Sequence, residues 1–322
     1  MRKTTLILVA SLVLVVAGAA QAANGTVKVT PLGSHDGEFC ALDRALLFED
    51  PDGTRILYDA GRTVRGPEDP RLGKIDVLLV SHVHGDHLGD AIQPAANAGE
   101  CGKPDFSVSV TPNSNTVNIA VAKKARIVVG SEMAGFFASK MKEVGGDPKQ
   151  VQLVRFGANA KVAGVTLTTV PAAHSNGLSP AFLSKEHGQA LAQNGLTAYV
   201  GPPTGYVVKF TNGLTVYLSG DTGVTAEQDL VVRGYYRANM AVMNIGDVFT
   251  TGPLEAAHVI NDLVKPASVI VSHANEPATA SGKVKPGTKT ATFQKATKVP
   301  VHVPLSGRTM QFDGAGKCTT GC

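Results

Sequence analysis

The sequence contains no tryptophan, only four cysteines among 322 residues, and few charged side chains (17%). Its lysines and arginines are scattered, without the dense basic runs or interleaved aromatics that are typical of a nucleic-acid surface. Low charge together with 43% hydrophobic residues excludes a long disordered chain or a coiled coil. We therefore expect a globular protein with no nucleic-acid partner, whose apolar pockets are lined by Phe, Tyr, Met and aliphatic side chains.

The first residues have the pattern of a secretory signal peptide. Arg2 and Lys3 precede an apolar run at residues 6–20, and Ala20-Gln21-Ala22 is a small-x-small cleavage site. A transmembrane anchor is the alternative, but the run is shorter than the ~20 residues that a span needs. We expect cleavage after Ala22, leaving residues 23–322 as a single exported domain, periplasmic or secreted. No later segment is long and apolar enough for a membrane span, so we expect no membrane contact after cleavage.

The cysteines agree with an oxidising compartment. Their number is even, and no second closely spaced pair accompanies Cys318 and Cys322, as a zinc finger of four cysteines would require. Three pairings are possible. Because Cys318 and Cys322 are near neighbours in a glycine-containing tail, we favour that pair, with Cys40 joined to Cys101.

Strand and helix patterns alternate along the chain. Hairpins are predicted at 45–49/55–59 and at 206–211/214–219, the latter around Asn212-Gly213. A buried strand is predicted at 75–81, further strands at 161–170, 240–245 and 269–272, and helices from about 131 and over 253–264. Two packed sheets with outer helices, an α/β architecture, would satisfy this order.

One long segment lacks clear periodicity. Residues 176–204 contain three prolines and follow a histidine, which leaves two interpretations: a substrate lid or a simple surface excursion. We predict Phe182 and Tyr199 in this segment as substrate contacts. His35, in an early loop, is a third candidate for the rim of the site.

The most informative stretch is Ser-His-Val-His-Gly-Asp-His at residues 81–87. It places His82, His84, Asp86 and His87 within six residues, directly after a predicted buried strand. These four ligands exceed what one tetrahedral zinc ion uses from a single turn. The pattern therefore predicts two metal ions a few Å apart.

The motif, with the segments that follow it, resembles the metallo-β-lactamase superfamily across the chain after the leader. His174, Asp221 and His273 each follow a predicted strand and match the family's later motifs in order. Asp59 matches the aspartate of the family's first motif, which orients the metal ligands without binding the metal itself. Residues 31–35, 220–223, 244–247 and 252–257 are similar to the ascorbate-6-phosphate-lactonase-like branch. The resemblance implies a four-layer αββα sandwich.

The resemblance also implies a role for each ligand. His82, His84 and His174 would bind one ion, Asp86, His87 and His273 the other, and Asp221 would bridge them. The expected ions are Zn2+, with Fe or Mn possible. Two dications that share a water lower its pKa enough to supply a bridging hydroxide near neutral pH. Asp86 is then the candidate to orient that hydroxide and to pass a proton to the leaving group.

The predicted function is a metal-dependent hydrolase for a small-molecule ester, most simply a lactone or a phosphodiester. Zinc β-lactamases usually carry Cys or Ser where this chain has Asp221, which disfavours antibiotic hydrolysis. A non-catalytic metal-binding protein is the other alternative, but all seven ligand positions hold competent ligands. The sequence leaves the substrate, the native metal and the oligomeric state open.

Overall fold

The computed structural model describes residues 25–322, so the predicted leader at residues 1–22 lies outside the described residues. Two sheets dominate the fold. The strands of the first sheet are β1 (Val27–Pro31), β2 (Leu46–Glu49), β3 (Arg55–Tyr58), β4 (Val77–Leu79), β9 (Arg126–Val129), β10 (Val151–Leu153), β22 (Met310–Phe312) and β23 (Cys318–Thr320). Their order in the sheet is β10-β9-β4-β3-β2-β1-β22-β23.

The strands of the second sheet are β11 (Asn159–Val162), β12 (Val165–Pro171), β15 (Thr204–Lys209), β16 (Thr215–Leu218), β17 (Met240–Asn244), β18 (Ser268–Ser272) and β21 (Val301–His302). Their order in the sheet is β11-β12-β15-β16-β17-β18-β21. Four short pairs complete the strands: β5 (Ala91–Ile92) with β8 (Val108–Ser109), β6 (Gly99–Glu100) with β7 (Lys103–Pro104), β13 (Gly177–Leu178) with β14 (Ala198–Tyr199), and β19 (Thr279–Ala280) with β20 (Lys283–Val284).

The described residues also contain helices. They are α1 (Gly85–Leu88), α2 (Asn115–Lys123), α3 (Met133–Glu143), α4 (Lys185–Gln193), α5 (Pro253–His258) and α6 (Lys289–Ala296). Single 3₁₀ turns lie at Pro148–Gln150 and Pro180–Phe182, and π-helical segments at Gln228–Arg233 and Val259–Val264. None of the helices in residues 25–322 has both the length and the apolar character that crossing a membrane requires.

Three buried clusters define four layers. The first lies between the sheets and joins residues of both, such as Phe48 and Phe210, whose rings stack 5.8 Å apart. The second packs α2 and α3 on the outer face of the first sheet through side chains such as Phe137. The third packs α5 and α6 on the second sheet and includes the fully buried Phe293. The predicted αββα sandwich is confirmed.

Strand direction brings five chain segments to one edge. β3 is parallel to β4, and β16, β17 and β18 are mutually parallel. β12 runs the same way as β16 because each is antiparallel to β15. The segments that leave β3, β4, β12, β16 and β18 therefore meet at this edge, where open sheets place their ligands.

Several local predictions need correction. The helix predicted over 253–264 is α-helical only to His258 and continues as a π-helical segment. Residues 176–204 are more ordered than their sequence indicates, because they contain β13, a 3₁₀ turn, α4 and β14. Ser184 caps α4 by accepting from the amide of His187, a signal that lies within the segment. The favoured cysteine pairing is confirmed, since Cys40 is joined to Cys101 and Cys318 to Cys322.

Candidate metal centre

The His82–His87 turn leaves the buried strand β4 and enters α1, which begins after His84. His82 and His87 are buried, whereas His84 and Asp86 are partly exposed. Two hydrogen bonds join the first sheet to the second beside the turn: the Thr204 amide donates to the Ser81 carbonyl at 2.8 Å, and the Gly220 amide donates to the Tyr58 hydroxyl at 3.0 Å. The two sheets are therefore bound together directly behind the turn.

Three histidine nitrogens converge on one point. His84 Nδ1 lies 3.0 Å from His82 Nε2 and 3.3 Å from His174 Nε2. A tetrahedral ion with nitrogen ligands at about 2.0–2.1 Å sets neighbouring nitrogens about 3.3 Å apart. Burial lowers the pKa of all three histidines, so each imidazole is neutral at pH 7 and has a lone pair to donate. These residues fit one metal ion.

A second group lies beside the first. Asp86 Oδ2 is 3.7 Å from His87 Nε2 and 3.6 Å from His273 Nε2. His273 directly follows β18. A Cβ atom at position 246 would lie 2.7 Å from His273 Nδ1, so only glycine at that position leaves room for the imidazole ring. Burial raises the pKa of Asp86, but the Arg44 guanidinium and the neighbouring histidines outweigh it and hold the pKa well below its usual range. Asp86, with its ionised carboxylate, and the two histidines therefore fit a second metal ion.

Asp221 lies between the two groups. Its Oδ2 is 3.0 Å from His273 Nε2, 3.5 Å from His87 Nε2 and 3.7 Å from His174 Nε2. Asn244, at the end of β17, fixes the turn that carries Asp221 by donating to the Thr222 carbonyl at 3.1 Å. A carboxylate in this position is placed to serve both groups.

Unpaired polar atoms support the same interpretation. Among residues 25–322, His87 Nε2 and Asp221 Oδ1 are buried and have no hydrogen-bond partner. Leaving such atoms unpaired costs free energy, and a bound cation removes that cost. Imidazole and carboxylate ligands together suit zinc, iron or manganese.

Asp59 lies behind His87. Its Oδ2 is 2.8 Å from His87 Nδ1, and its Oδ1 accepts from the Ser81 amide at 2.8 Å. The contact at Nδ1 directs Nε2 of His87 toward the metal groups, as a carboxylate commonly does for a ligating histidine.

The protonation of His87 leads to a prediction about metal binding. Burial lowers the pKa of His87, but the carboxylates of Asp221, Asp86 and Asp59 outweigh it and raise the pKa to about 10. The pKa of His87 in the folded protein thus lies above its usual value of 6.5. The stabilisation that the bound proton gives the metal-free protein is therefore complete below pH ~6.5 and is lost as the pH rises through ~10. Metal binding at pH 7.5 must therefore release this proton.

We expect calorimetric titration of the metal-free protein in buffers of different ionisation enthalpy to show about one proton released from His87. Zinc affinity should rise with pH up to ~10 for the same reason. His258→Ala is the control, because His258 is exposed and pairs with Asp262 away from the site. Zinc binding without proton release would contradict the assignment.

Sequence reasoning missed Arg44 and Asn275. Arg44 precedes β2 with a buried side chain; its Nε donates to Asp86 Oδ2 at 2.7 Å and its Nη2 to Asn275 Oδ1 at 2.8 Å. The signal for Asn275 was its place two residues after His273. Arg44 had only a weak signal, a charged residue at the start of an apolar strand.

The metal groups open onto a cavity of about 830 Å3. The predicted rim residues do not line it. Phe182 is 1% exposed and packs against Phe136, with ring centroids 6.1 Å apart, so its prediction as a substrate contact is wrong. Tyr199 is 76% exposed on β14, and His35 contacts the Gly99 carbonyl through Nε2 at 2.7 Å.

The cavity wall comes from other segments. No residue of 176–204 lines it, so the lid interpretation of that segment has no support in this structure. Besides the metal groups, the lining residues are Ala41, Leu42, Arg44, Arg62, Gly102, Lys103, Pro104, Ser175, Val248, Phe249 and Asn275. The wall is therefore built mainly by three loops, at residues 41–44, 102–104 and 248–249.

Comparison with known proteins agrees with the fold and with the metallo-β-lactamase resemblance. The family model described as "Beta-lactamase superfamily domain" matches residues 54–274, which include all seven predicted ligands. A UPF0173 metal-dependent hydrolase of Polynucleobacter asymbioticus is 30% identical over 278 residues, covering 81% of each chain. Another, from Cupriavidus necator, is 28% identical over the same length and coverage.

A solved metallo hydrolase from Ignicoccus hospitalis superposes with a TM-score of 0.59 at 21% identity, covering 89% of this chain and 99% of that one. This likeness concerns the fold. The resemblance to the superfamily predicted from the motifs is thus confirmed, while the lactonase-like branch stays a prediction. The chain belongs to the metallo-β-lactamase superfamily and is one of its metal-dependent hydrolases.

Proposed function

We propose that this chain is an exported hydrolase that holds two divalent metal ions and cleaves a small ester-type substrate, a lactone or a phosphodiester. The observation that carries the proposal is the position of Asp221 Oδ2, within 3.9 Å of His82 Nε2 in one metal group and 3.0 Å of His273 Nε2 in the other. A carboxylate shared in this way suits a pair of cations rather than one.

His82, His84 and His174 would hold one ion, and Asp86, His87 and His273 the other. Bound dications supply Lewis acidity and an acidified water, so that no Ser, Cys or Lys nucleophile is needed. Asp86 lines the cavity, and its carboxylate is anchored by Arg44. We assign Asp86 the transfer of a proton to the leaving group, because it is the carboxylate of the site with the greater exposure, 22% against 4% for Asp221.

Two considerations support the substrate class and the location. An aspartate at position 221 is more like the lactonases and phosphodiesterases of the superfamily than its zinc β-lactamases. Export is supported by the leader pattern at residues 1–22 and by two disulfides, which form in oxidising compartments.

The test combines metal content with turnover. Protein purified without chelators should carry about two equivalents of zinc, iron or manganese, as the two groups require. A lactone, a phosphodiester and a β-lactam should then be assayed side by side, with and without chelator. We expect chelator-sensitive turnover of the lactone or the phosphodiester. Rapid β-lactam hydrolysis alone would overturn the substrate class, and protein without metal or turnover would revive the non-catalytic alternative.

A further inference from the structure

One wall of the cavity is a clamped hairpin, residues 99–104, formed by β6, β7 and the turn between them. Cys101 in the turn is bonded to Cys40, and its carbonyl accepts from the Ala41 amide at 3.1 Å. His35 Nε2 contacts the Gly99 carbonyl at 2.7 Å. These contacts hold the backbone of the hairpin on the neighbouring loop, beside the cavity.

The clamped hairpin presents Lys103 to the cavity. Lys103 is exposed, and no carboxylate of residues 25–322 lies within 4.0 Å of its ammonium group. The other two cations of the lining are neutralised, since Arg44 pairs with Asp86 at 2.7 Å and Arg62 pairs with Asp90 at 2.6 Å. Lys103 therefore brings an unbalanced positive charge to the wall.

The carboxylates of the lining do not balance that charge. They are Asp86, which already pairs with Arg44, and Asp221, which lies among the histidines of the metal groups. Metal ions at those groups would make the cavity more positive still. A neutral or cationic substrate gains nothing from this field, whereas an anionic one is attracted and oriented by it.

A different wall is apolar. Val248 and Phe249 line the cavity with 88% and 72% of their surfaces exposed. Both also line an adjoining cleft with Ala173 and His174, so they lie on the His174 side of the metal centre. Lys103 belongs to the hairpin whose Gly102 approaches Pro277, in the segment after His273. The cation and the apolar pair thus border different sides.

We propose that Lys103 is a specificity-determining residue that binds an anionic group of the substrate, a carboxylate or a phosphate, while Val248 and Phe249 cover an apolar part of the same molecule. The inference rests on the proposed function, since it specifies which esters enter the site. The substrate class is an amphiphilic anionic ester, with its charge toward the clamped hairpin and its apolar part toward His174.

A binding experiment tests this assignment independently of turnover. The probes are 4-phenylbutyrate, phenylphosphonate and the neutral 4-phenylbutyramide, titrated into zinc-loaded protein. An exposed ion pair contributes up to about fivefold in affinity. Lys103→Met should therefore lower the affinity for one or both anionic probes about fivefold and leave the affinity for the amide unchanged. Lys103→Glu should lower the affinity for the anions further. A larger loss of affinity for 4-phenylbutyrate would identify the anionic group of the substrate as a carboxylate, and a larger loss for phenylphosphonate would identify it as a phosphate.

Lys149→Met is the matched control, because Lys149 is exposed in the 3₁₀ turn before β10 and does not line the cavity. Thermal unfolding of each variant verifies the fold. Equal losses for all three probes, or anion affinities that do not change in Lys103→Met, would overturn the proposal. Hydrolysis of lactones and diesters by the wild type is measured separately, so failure of the proposed function is distinguished from failure of this one.

Discussion

Asp221→Ala is expected to lose bound metal and hydrolytic activity together. Asp221 is 4% exposed, and its Oδ2 lies near nitrogens of both metal groups. Without it, each group keeps three ligands, and the negative charge that offsets two dications is halved. Metal ions contribute several kcal/mol to such reactions, so activity should fall about a thousandfold or more.

Two matched variants make the Asp221 result interpretable. Asp221→Asn keeps the size and one oxygen but removes the charge, so it should also lose metal if charge is what holds the ions. His35→Ala should keep both metals, because His35 contacts the Gly99 carbonyl outside the ligand set. The measurement is metal content by mass spectrometry beside kcat/KM. Two equivalents of metal in Asp221→Ala would refute a shared site.

Arg44→Met is expected to have the second-largest effect. Its side chain is 3% exposed and holds Asp86 at 2.7 Å and Asn275 at 2.8 Å. Without Arg44, protonated His87 at 3.7 Å remains as a cation beside Asp86, so the metal-free protein should lose up to about 3 kcal/mol of unfolding free energy. Loss of a group that orients a ligating carboxylate reduces metal affinity or activity about 10–100-fold.

Arg44→Lys is the control, since it keeps the charge without the planar fork that reaches Asp86 and Asn275 at once. We expect an intermediate phenotype for this variant. Urea unfolding of metal-free protein, zinc titration and kcat/KM should be measured for both variants. Tighter zinc binding by Arg44→Met would contradict this view and indicate that Arg44 competes with the metal for Asp86.

The metal ligands and the layer architecture could be predicted from the sequence, because they depend on short-range patterns and on residues at strand ends. The His82–His87 turn is a local motif, and the later ligands each follow a buried strand whose direction is fixed by the sheet. Their convergence then follows from parallel pairing. The four-layer architecture follows from alternating strand and helix patterns, supported by the family resemblance.

What escaped prediction depends on long-range packing. Arg44 is 42 residues from Asp86 along the chain, and no spacing rule joins them. Phe182 was predicted as a substrate contact because it lies in the candidate lid segment, where no local pattern indicates that an aromatic residue is buried. The structure places it in the core beneath α3, against Phe136.

The position of the clamped hairpin also depends on long-range packing. The Cys40–Cys101 bond was predicted from the favoured pairing, but its position at the cavity wall was not. Which face of the molecule a disulfide supports depends on how the loops it joins pack onto the sheets. The role of Lys103 could therefore be proposed only from the folded chain.

Because the two metal groups draw ligands from both sheets, bound ions would cross-link the sheets at the edge where these strands end. The first sheet supplies the His82–His87 turn, and the second supplies His174, Asp221 and His273. A ligand that binds only the assembled state adds its binding free energy to folding. Separation of the halves would then require release of the ions, so the metal-loaded molecule should resist heat and proteases as one cooperative body.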